Sequence, residues 1–308
     1  MSEARSPPSG PPPRDGGGEP TSSADPLHLL RARLANGLPA CALRWTGSTG
    51  STNADLLHAA KAGLLDGPTL LAAGRQTAGR GRQGRAWQDD AQTSVLCSLA
   101  WPFPTRHDIG PLSLAVGVWL TQALHALGAE PVRLKWPNDL LLYAPQGNAG
   151  APQVSLPPSG GEHSSTRGAW RKLGGVLVEV ADTPQARWAI IGFGLNLRTP
   201  PGQPGAAGLD MAGVQIDRAE ALAALVPALL AGLRSSVTQG LAPALAQWNT
   251  LHAWAGQPVS VQDRGQTLFT GIALGIAPDG ALGVQTAQGN RQVRSADVSL
   301  RLDGAATT

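Results

Sequence analysis

Between Gln76 and Trp87 the chain reads Gln-Thr-Ala-Gly-Arg-Gly-Arg-Gln-Gly-Arg-Ala-Trp, setting Arg80, Arg82 and Arg85 among Gly79, Gly81 and Gly84. Glycine lets backbone approach a ligand closely, and the guanidinium offers a planar donor fork matched to phosphate and carboxylate. Such a segment is entropically costly to order, so it is expected to be a loop that settles on an anion. Taken alone, a Gly-Arg run serves equally as a solvated loop or a nucleic-acid contact. The three glycines also spell G-x-G-x-x-G, but that dinucleotide fingerprint requires a helix opening inside it and an acidic residue about 20 positions on. Here a second strand follows, over 93–100, and no Asp or Glu lies between Asp90 and Asp108.

Lysine is scarce: Lys61, Lys135 and Lys172 stand against 21 arginines. A lysine kept in an arginine-using chain is a candidate for a task that needs a compact charge. Two of the three fall in motifs, Lys135-Trp136-Pro137-Asn138-Asp139 and Arg171-Lys172-Leu173-Gly174-Gly175-Val176. Each has a bland reading as well, a capped turn for the first and a glycine-permitted close approach for the second. Gly192-Phe193-Gly194-Leu195-Asn196 ends an apolar run at an amide, and Ser51-Thr52-Asn53 precedes a helical stretch that the hydroxyls can cap. Ser48-Thr49 repeats the hydroxyl doublet. All these motifs fall at strand ends or loops, and together they offer what an anionic, nucleotide-sized ligand needs.

The elements that must hold these groups follow from pattern. Residues 1–26 are rich in Pro, Gly and Ser and read as a disordered tail. Helical periodicity or capping marks 27–35, 54–62, 111–127, 218–238 and 243–253, and strands are expected over 69–73, 94–99, 132–136, 140–143, 173–180 and 189–195. Strands joined without a helix between each pair suggest an α+β fold with a mixed or antiparallel sheet and flanking helices. The stretch 144–167 reads as a flexible insertion at a hairpin tip. Five short strand-like runs from 259 to 302, separated by turn signals, suggest a small C-terminal barrel, giving domains of 27–255 and 256–303. The chain has 308 residues, 42% hydrophobic and 15% charged, with a net charge of +3. These totals favour a sizeable core and argue against a dedicated DNA-binding protein. No apolar run reads as long enough to cross a bilayer, and Cys41 and Cys97 are isolated, which points to a reducing, cytoplasmic setting.

The ordered set Ser-Thr-Asn, Gln-Thr-Ala-Gly-Arg-Gly-Arg-x-Gly-Arg-x-Trp, Lys-Trp-Pro-Asn-Asp, Lys-Leu-Gly-Gly-Val-Leu-Val-Glu and Gly-Phe-Gly-Leu-Asn resembles biotin protein ligase, over roughly 43–302. The resemblance implies a catalytic fold related to class II aminoacyl-tRNA synthetases, followed by an SH3-like C-terminal barrel. It implies formation of biotinyl-5′-AMP from biotin and ATP with Mg²⁺, then transfer to a lysine of the biotin carboxyl carrier protein of acetyl-CoA carboxylase. By motif position, Ser51, Thr52, Gln76, Gly79, Arg80, Arg82, Trp87, Lys172 and Gly175 would meet biotin. Arg82, Arg85, Lys135, Asn138 and Asn196 would meet the nucleotide. Arg80, Arg82, Lys172 and Asp139 would be catalytic, with Asp139 also the magnesium ligand or the group receiving the incoming lysine. Some relatives carry an N-terminal winged helix-turn-helix; the Pro/Gly tail replaces it, so neither DNA nor a membrane is an expected partner. Lipoate ligases share fold and chemistry but lack the Gly-Arg loop paired with Lys-Trp-Pro-Asn-Asp.

Overall fold

The computed structural model describes residues 26–35, 41–87, 93–145, 168–294 and 298–302. The expected tail (through residue 25), the body of the insertion at 146–167 and the chain beyond 302 lie outside the described residues.

The main sheet has seven strands in the order β1-β2-β3-β7-β6-β5-β4, namely β1 (Ala42–Thr46), β2 (Thr69–Ala73), β3 (Ser94–Phe103), β4 (Val132–Lys135), β5 (Asp139–Pro145), β6 (Gly168–Asp182) and β7 (Arg187–Asn196). β1 and β2 are parallel and every other neighbouring pair is antiparallel, so the sheet is mixed, as the strand spacing implies. Strand β3 runs four residues past the expected end, through Pro102. Its pairing with β2 stops at Ala100 while its pairing with β7 continues, so the proline's missing N–H is tolerated on the unpaired side. β1 was not legible as a strand: it is a half-exposed edge with no clean alternation.

Both faces of the central strands are covered. Val95, Cys97 and Leu99 of β3 and Ile191, Phe193 and Leu195 of β7 face the main core. There they meet α3 (Leu112–Ala126) and α4 (Arg218–Gln239). Gly232 lets α4 lie close on α3, since a Cβ there would fall 2.3 Å from the Trp119 ring. α4 opens with a complete capping box between Asp217 and Glu220. By length and composition α4 could cross a bilayer, which corrects the reading that no apolar run is long enough. In this structure half of it is buried, and it packs as a core helix against α1 (His28–Leu34), α3 and β3.

The opposite face carries α2 (Thr52–Lys61), whose Leu56 and Ala60 pack on Ala100, Ala181, Trp188 and Ile190. Further along the same strands this face is left open and becomes the floor of a pocket.

The helix expected over 243–253 ends early. α5 spans Ala242–Trp248, a 3₁₀ turn follows at Asn249–Leu251, and Ala253 then donates its N–H to Leu134 O (2.8 Å), leaving the helix to bridge β4. Beyond it lies a five-stranded antiparallel sheet in the order β11-β10-β9-β8-β12, with β8 (Pro258–Asp263), β9 (Gln266–Ile276), β10 (Leu282–Thr286), β11 (Gly289–Val293) and β12 (Val298–Leu302). It is fastened to the main domain by the fully buried Trp136, whose Nε1 donates to Gly280 O (3.1 Å) in the β9–β10 turn.

Candidate active site

The open floor is built from glycine. Across the register, Ser98 faces Gly192, which faces Leu177, while Leu96 faces Gly194, which faces Gly175. A Cβ on Gly192 would fall 2.5 Å from Asn53 Oδ1, and one on Gly194 would fall 2.6 Å from the Trp87 ring. The glycines therefore let Asn53 and Trp87 lie directly on the sheet. Around this trough is a cavity of about 430 Å³.

One wall is the start of α2. Ser51 is its N-cap, accepting from Ala54 N, and both Ser51 and Thr52 are buried. The side-chain amide oxygen of Gln76, Oε1, accepts from Thr52 N (2.8 Å) and from Thr52 Oγ1 (3.0 Å), and Thr52 Oγ1 lies 2.7 Å from Ser98 Oγ. The earlier doublet plays a different part: Thr49 pairs with Asp55 and with the backbone at Gln76, outside the cavity lining.

A second wall is the Gly-Arg segment, which closes as a miniature hairpin. Gly81 N donates to Arg85 O (2.7 Å) and Trp87 N to Gly79 O (2.9 Å), with a 3₁₀ turn at Arg82–Gly84 whose tip, Gly84, has φ +69°. That conformation favours glycine. Among the described residues the next element after this turn is β3, not the helix that the dinucleotide fingerprint requires. Arg80, Arg82, Arg85 and Trp87 line the cavity; Gly79 does not, being placed at the hairpin's base against Gln76 and Trp87.

The third wall holds the two lysines. A register shift between Leu140 and Leu141 in the β5–β6 ladder brings Lys172 beside the start of β5. Asp139 bridges the pair, with Lys172 Nζ at 2.7 Å from Oδ1 and Lys135 Nζ at 3.0 Å from Oδ2. Burial by itself would raise the Asp139 proton affinity, but the two ammonium groups hold its carboxyl far below the usual range. Burial pushes Lys135 below its ordinary value; Asp139 opposes this, while Arg301 and Lys172 add to it. Each lysine also lies over an indole, Lys135 over Trp254 (5.1 Å) and Lys172 over Trp87 (5.5 Å). Asn138 donates from Nδ2 to Val176 O (2.8 Å), pinning the turn to β6.

Of the residues named from sequence, Ser51, Thr52, Gln76, Arg80, Arg82, Arg85, Trp87, Lys135, Asn138, Asp139, Lys172 and Gly175 line this one cavity. Asn196 does not: it is buried, takes a hydrogen bond from Ser94 Oγ and donates to Ala207 O (3.0 Å). Its amide anchors the 205–207 stretch, which pairs with the backbone of Lys172 on both sides (Lys172 N to Gly205 O and Ala207 N to Lys172 O, each 2.8 Å). Asn53, Ser98 and Gly192 were not assigned from sequence, although Asn53 and Gly192 sit inside quoted motifs. Trp254, Leu300 and Arg301 carried no local signal, since they reach the cavity from the far end of the chain.

Six cations (Arg80, Arg82, Arg85, Lys135, Lys172, Arg301) line the cavity against a single carboxylate, Asp139, among the described residues. Among the same residues no group of three or more His, Cys, Asp or Glu could hold a metal, and both Asp139 oxygens are engaged by lysines. The residues present do not fit a protein-built magnesium site. The arrangement is one for polyanions, with a glycine-floored, hydroxyl- and amide-lined end for a neutral polar group.

Comparison with known proteins agrees with this geometry. The family model for the biotin/lipoate A/B protein ligase family matches residues 46–196, and that for the biotin protein ligase C-terminal domain matches residues 255–301. The bifunctional ligase/repressor BirA of Escherichia coli is 31% identical over 277 residues, covering 86% of this chain and 76% of its own. The biotin–[acetyl-CoA-carboxylase] ligase of Paracoccus denitrificans is 29% identical over 261 residues, 81% of this chain and 97% of its own. The biotin protein ligase of Aquifex aeolicus, solved with biotin and ATP, shares the fold at 22% identity with a TM-score of 0.64, covering 85% of this chain and 99% of that one. The chain belongs to the biotin/lipoate A/B protein ligase family, as one of its biotin protein ligases. It is a ligase.

Proposed function

We propose that the protein joins biotin to ATP as biotinyl-5′-AMP and then passes the biotinyl group to a lysine of a biotin carboxyl carrier protein. The observation that carries this reading is the cavity itself, with six cations converging beside a hydroxyl- and glycine-lined trough. A carboxylate and a triphosphate repel each other, so bringing them in line requires fixed positive charge in a site shielded from water.

In this reading Ser51, Thr52, Gln76 and Trp87 hold the biotin head, with Gly79 shaping the hairpin and Gly175 leaving room beside Lys172. Arg80 and Arg82 span the biotin carboxylate and the α-phosphate. Lys172, a compact charge on the rim, neutralises the junction as the carboxylate oxygen bonds to the α-phosphorus and the bond to pyrophosphate breaks. Arg85, Lys135 and Asn138 serve the departing phosphates. In the second step the carrier amine attacks the acyl carbon, the acyl–oxygen bond to AMP breaks, and the amine loses a proton. Asp139, ionised and held by two lysines, is a poor acceptor for that proton. Its part is to fix both lysines, which replaces the roles of magnesium ligand and base. Asn196 acts at one remove, through the 205–207 stretch.

The finer fold reading, a class II synthetase-like catalytic domain with an SH3-like barrel, accompanies this proposal. So do a reducing, cytoplasmic setting, supported by the free Cys41 and Cys97, and the absence of repressor activity. The test is pyrophosphate exchange into ATP: it is expected with biotin and not with lipoate, and exchange with lipoate alone would reassign the substrate.

A further inference from the structure

We propose that Glu179 is a positioning residue for biotin recognition, fixing the Asn53 amide so that its oxygen, not its NH₂, is presented to a urea N–H of the ligand. The inference rests on the biotin reading above and concerns a residue outside the cavity lining.

Glu179 lies on β6, on the face that α2 covers, and its Oε2 accepts from Asn53 Nδ2 at 2.6 Å. A carboxylate of this kind only accepts, so the amide must turn its nitrogen to Glu179 and its oxygen the other way. Asn53 is 4% exposed, and among the described residues its Oδ1 accepts no hydrogen bond. That oxygen rests over Gly192, where any side chain would collide with it, and Gly192 faces Ser98 across the ladder. The site is therefore ringed by the Thr52–Ser98–Gln76 network yet retains one dry, unsatisfied acceptor. A desolvated acceptor is unfavourable until a donor arrives. The neutral cyclic urea of biotin carries N–H donors and no charge, so it satisfies this oxygen without a counterion. Were the amide free to rotate, its NH₂ would oppose the urea N–H; the Glu179 carboxylate forbids that rotation.

The test is biotin titration calorimetry, without ATP, on the full chain and on Glu179→Gln, Asn53→Asp and the double variant, each checked for its melting temperature. Glu179→Gln replaces a charge-assisted bond by a neutral one and admits the flipped amide. Biotin binding is expected to weaken about tenfold, with the effect falling on KM for biotin rather than on kcat. Asn53→Asp sets two carboxylates against each other and is expected to weaken binding further. The double variant exchanges the two partners: the amide introduced on β6 donates to the carboxylate introduced on α2. The other oxygen of that carboxylate again faces Gly192, so affinity is expected to recover to near that of the unaltered chain. A purely structural Glu179 would shift the melting temperature and leave the biotin affinity unchanged in Glu179→Gln, overturning the proposal. A folded double variant binding no better than Asn53→Asp would overturn it too. Failure of the unaltered chain to bind biotin would instead remove the biotin reading itself.

Discussion

The Asp139 bridge makes a quantitative demand. In Asp139→Asn the shape of the side chain is kept and its charge removed, leaving Lys135 and Lys172 near each other and near Arg301 without a counterion. The Lys135 arm is buried on both sides, with side-chain exposures of 10% and 15%. Breaking such a pair by removing one partner costs about 3–5 kcal/mol, from which roughly 1 kcal/mol is recovered because the Asn oxygen still accepts one hydrogen bond. The Lys172 arm is 44% exposed on the lysine side and adds under about 1 kcal/mol. The expected loss is about 3 kcal/mol at pH 7, a fall in Tm of roughly 6 °C for a chain this long. Because the folded Asp139 binds its proton more weakly than the unfolded one, its contribution is complete above about pH 4 and fades as the pH falls through the lowered folded value. Urea unfolding at pH 7 and pH 3 reads both effects, and the gap between the two proteins is expected to narrow by about 1 kcal/mol at pH 3. A variant as stable as its parent at pH 7, or a gap that widens in acid, would refute the reasoning.

Lys172→Ala is expected to lower biotin-dependent pyrophosphate exchange by about 10²–10³, with a smaller effect on biotin affinity measured without ATP; equal losses in both would place Lys172 in binding alone. Arg82→Gly removes a fork and loosens the hairpin tip, so biotinyl-AMP is expected to dissociate faster in a chase experiment, and an unchanged off-rate would contradict its role. Gly194→Ala drives a methyl into the Trp87 indole, with 2.6 Å available where contact needs well over 3 Å; biotin binding is expected to be lost while the fold, read by circular dichroism, survives. A gel shift with biotin and ATP present is expected to show no operator complex.

Most strands and helices were legible because their periodicity and stop signals are local. β2 begins and ends where the pattern places it. The misses have physical causes that no local pattern encodes. β3 continues through Pro102 because only one of its neighbours continues. His252 and Ala253 keep a helical look yet leave the helix to pair with β4. The motifs located the cavity because each supplies groups to it. Asn196 and Gly79 lie behind the cavity lining, where a motif residue holds another: Asn196 anchors the stretch against Lys172, and Gly79 closes the hairpin under Trp87. Arg301 and Trp254 were beyond reach, as only the docking of the C-terminal sheet through Trp136 and Gly280 brings that end of the chain to the lysines.

If the cavity activates biotin as its adenylate and delivers it to a carrier lysine, the product is visible by mass. A biotin carboxyl carrier domain incubated with the protein, biotin and magnesium-ATP is expected to gain one biotinyl group on its lysine. That gain should be absent without ATP and much reduced with Lys172→Ala. An unmodified carrier alongside a protein that binds biotin and ATP together would contradict the proposed transfer.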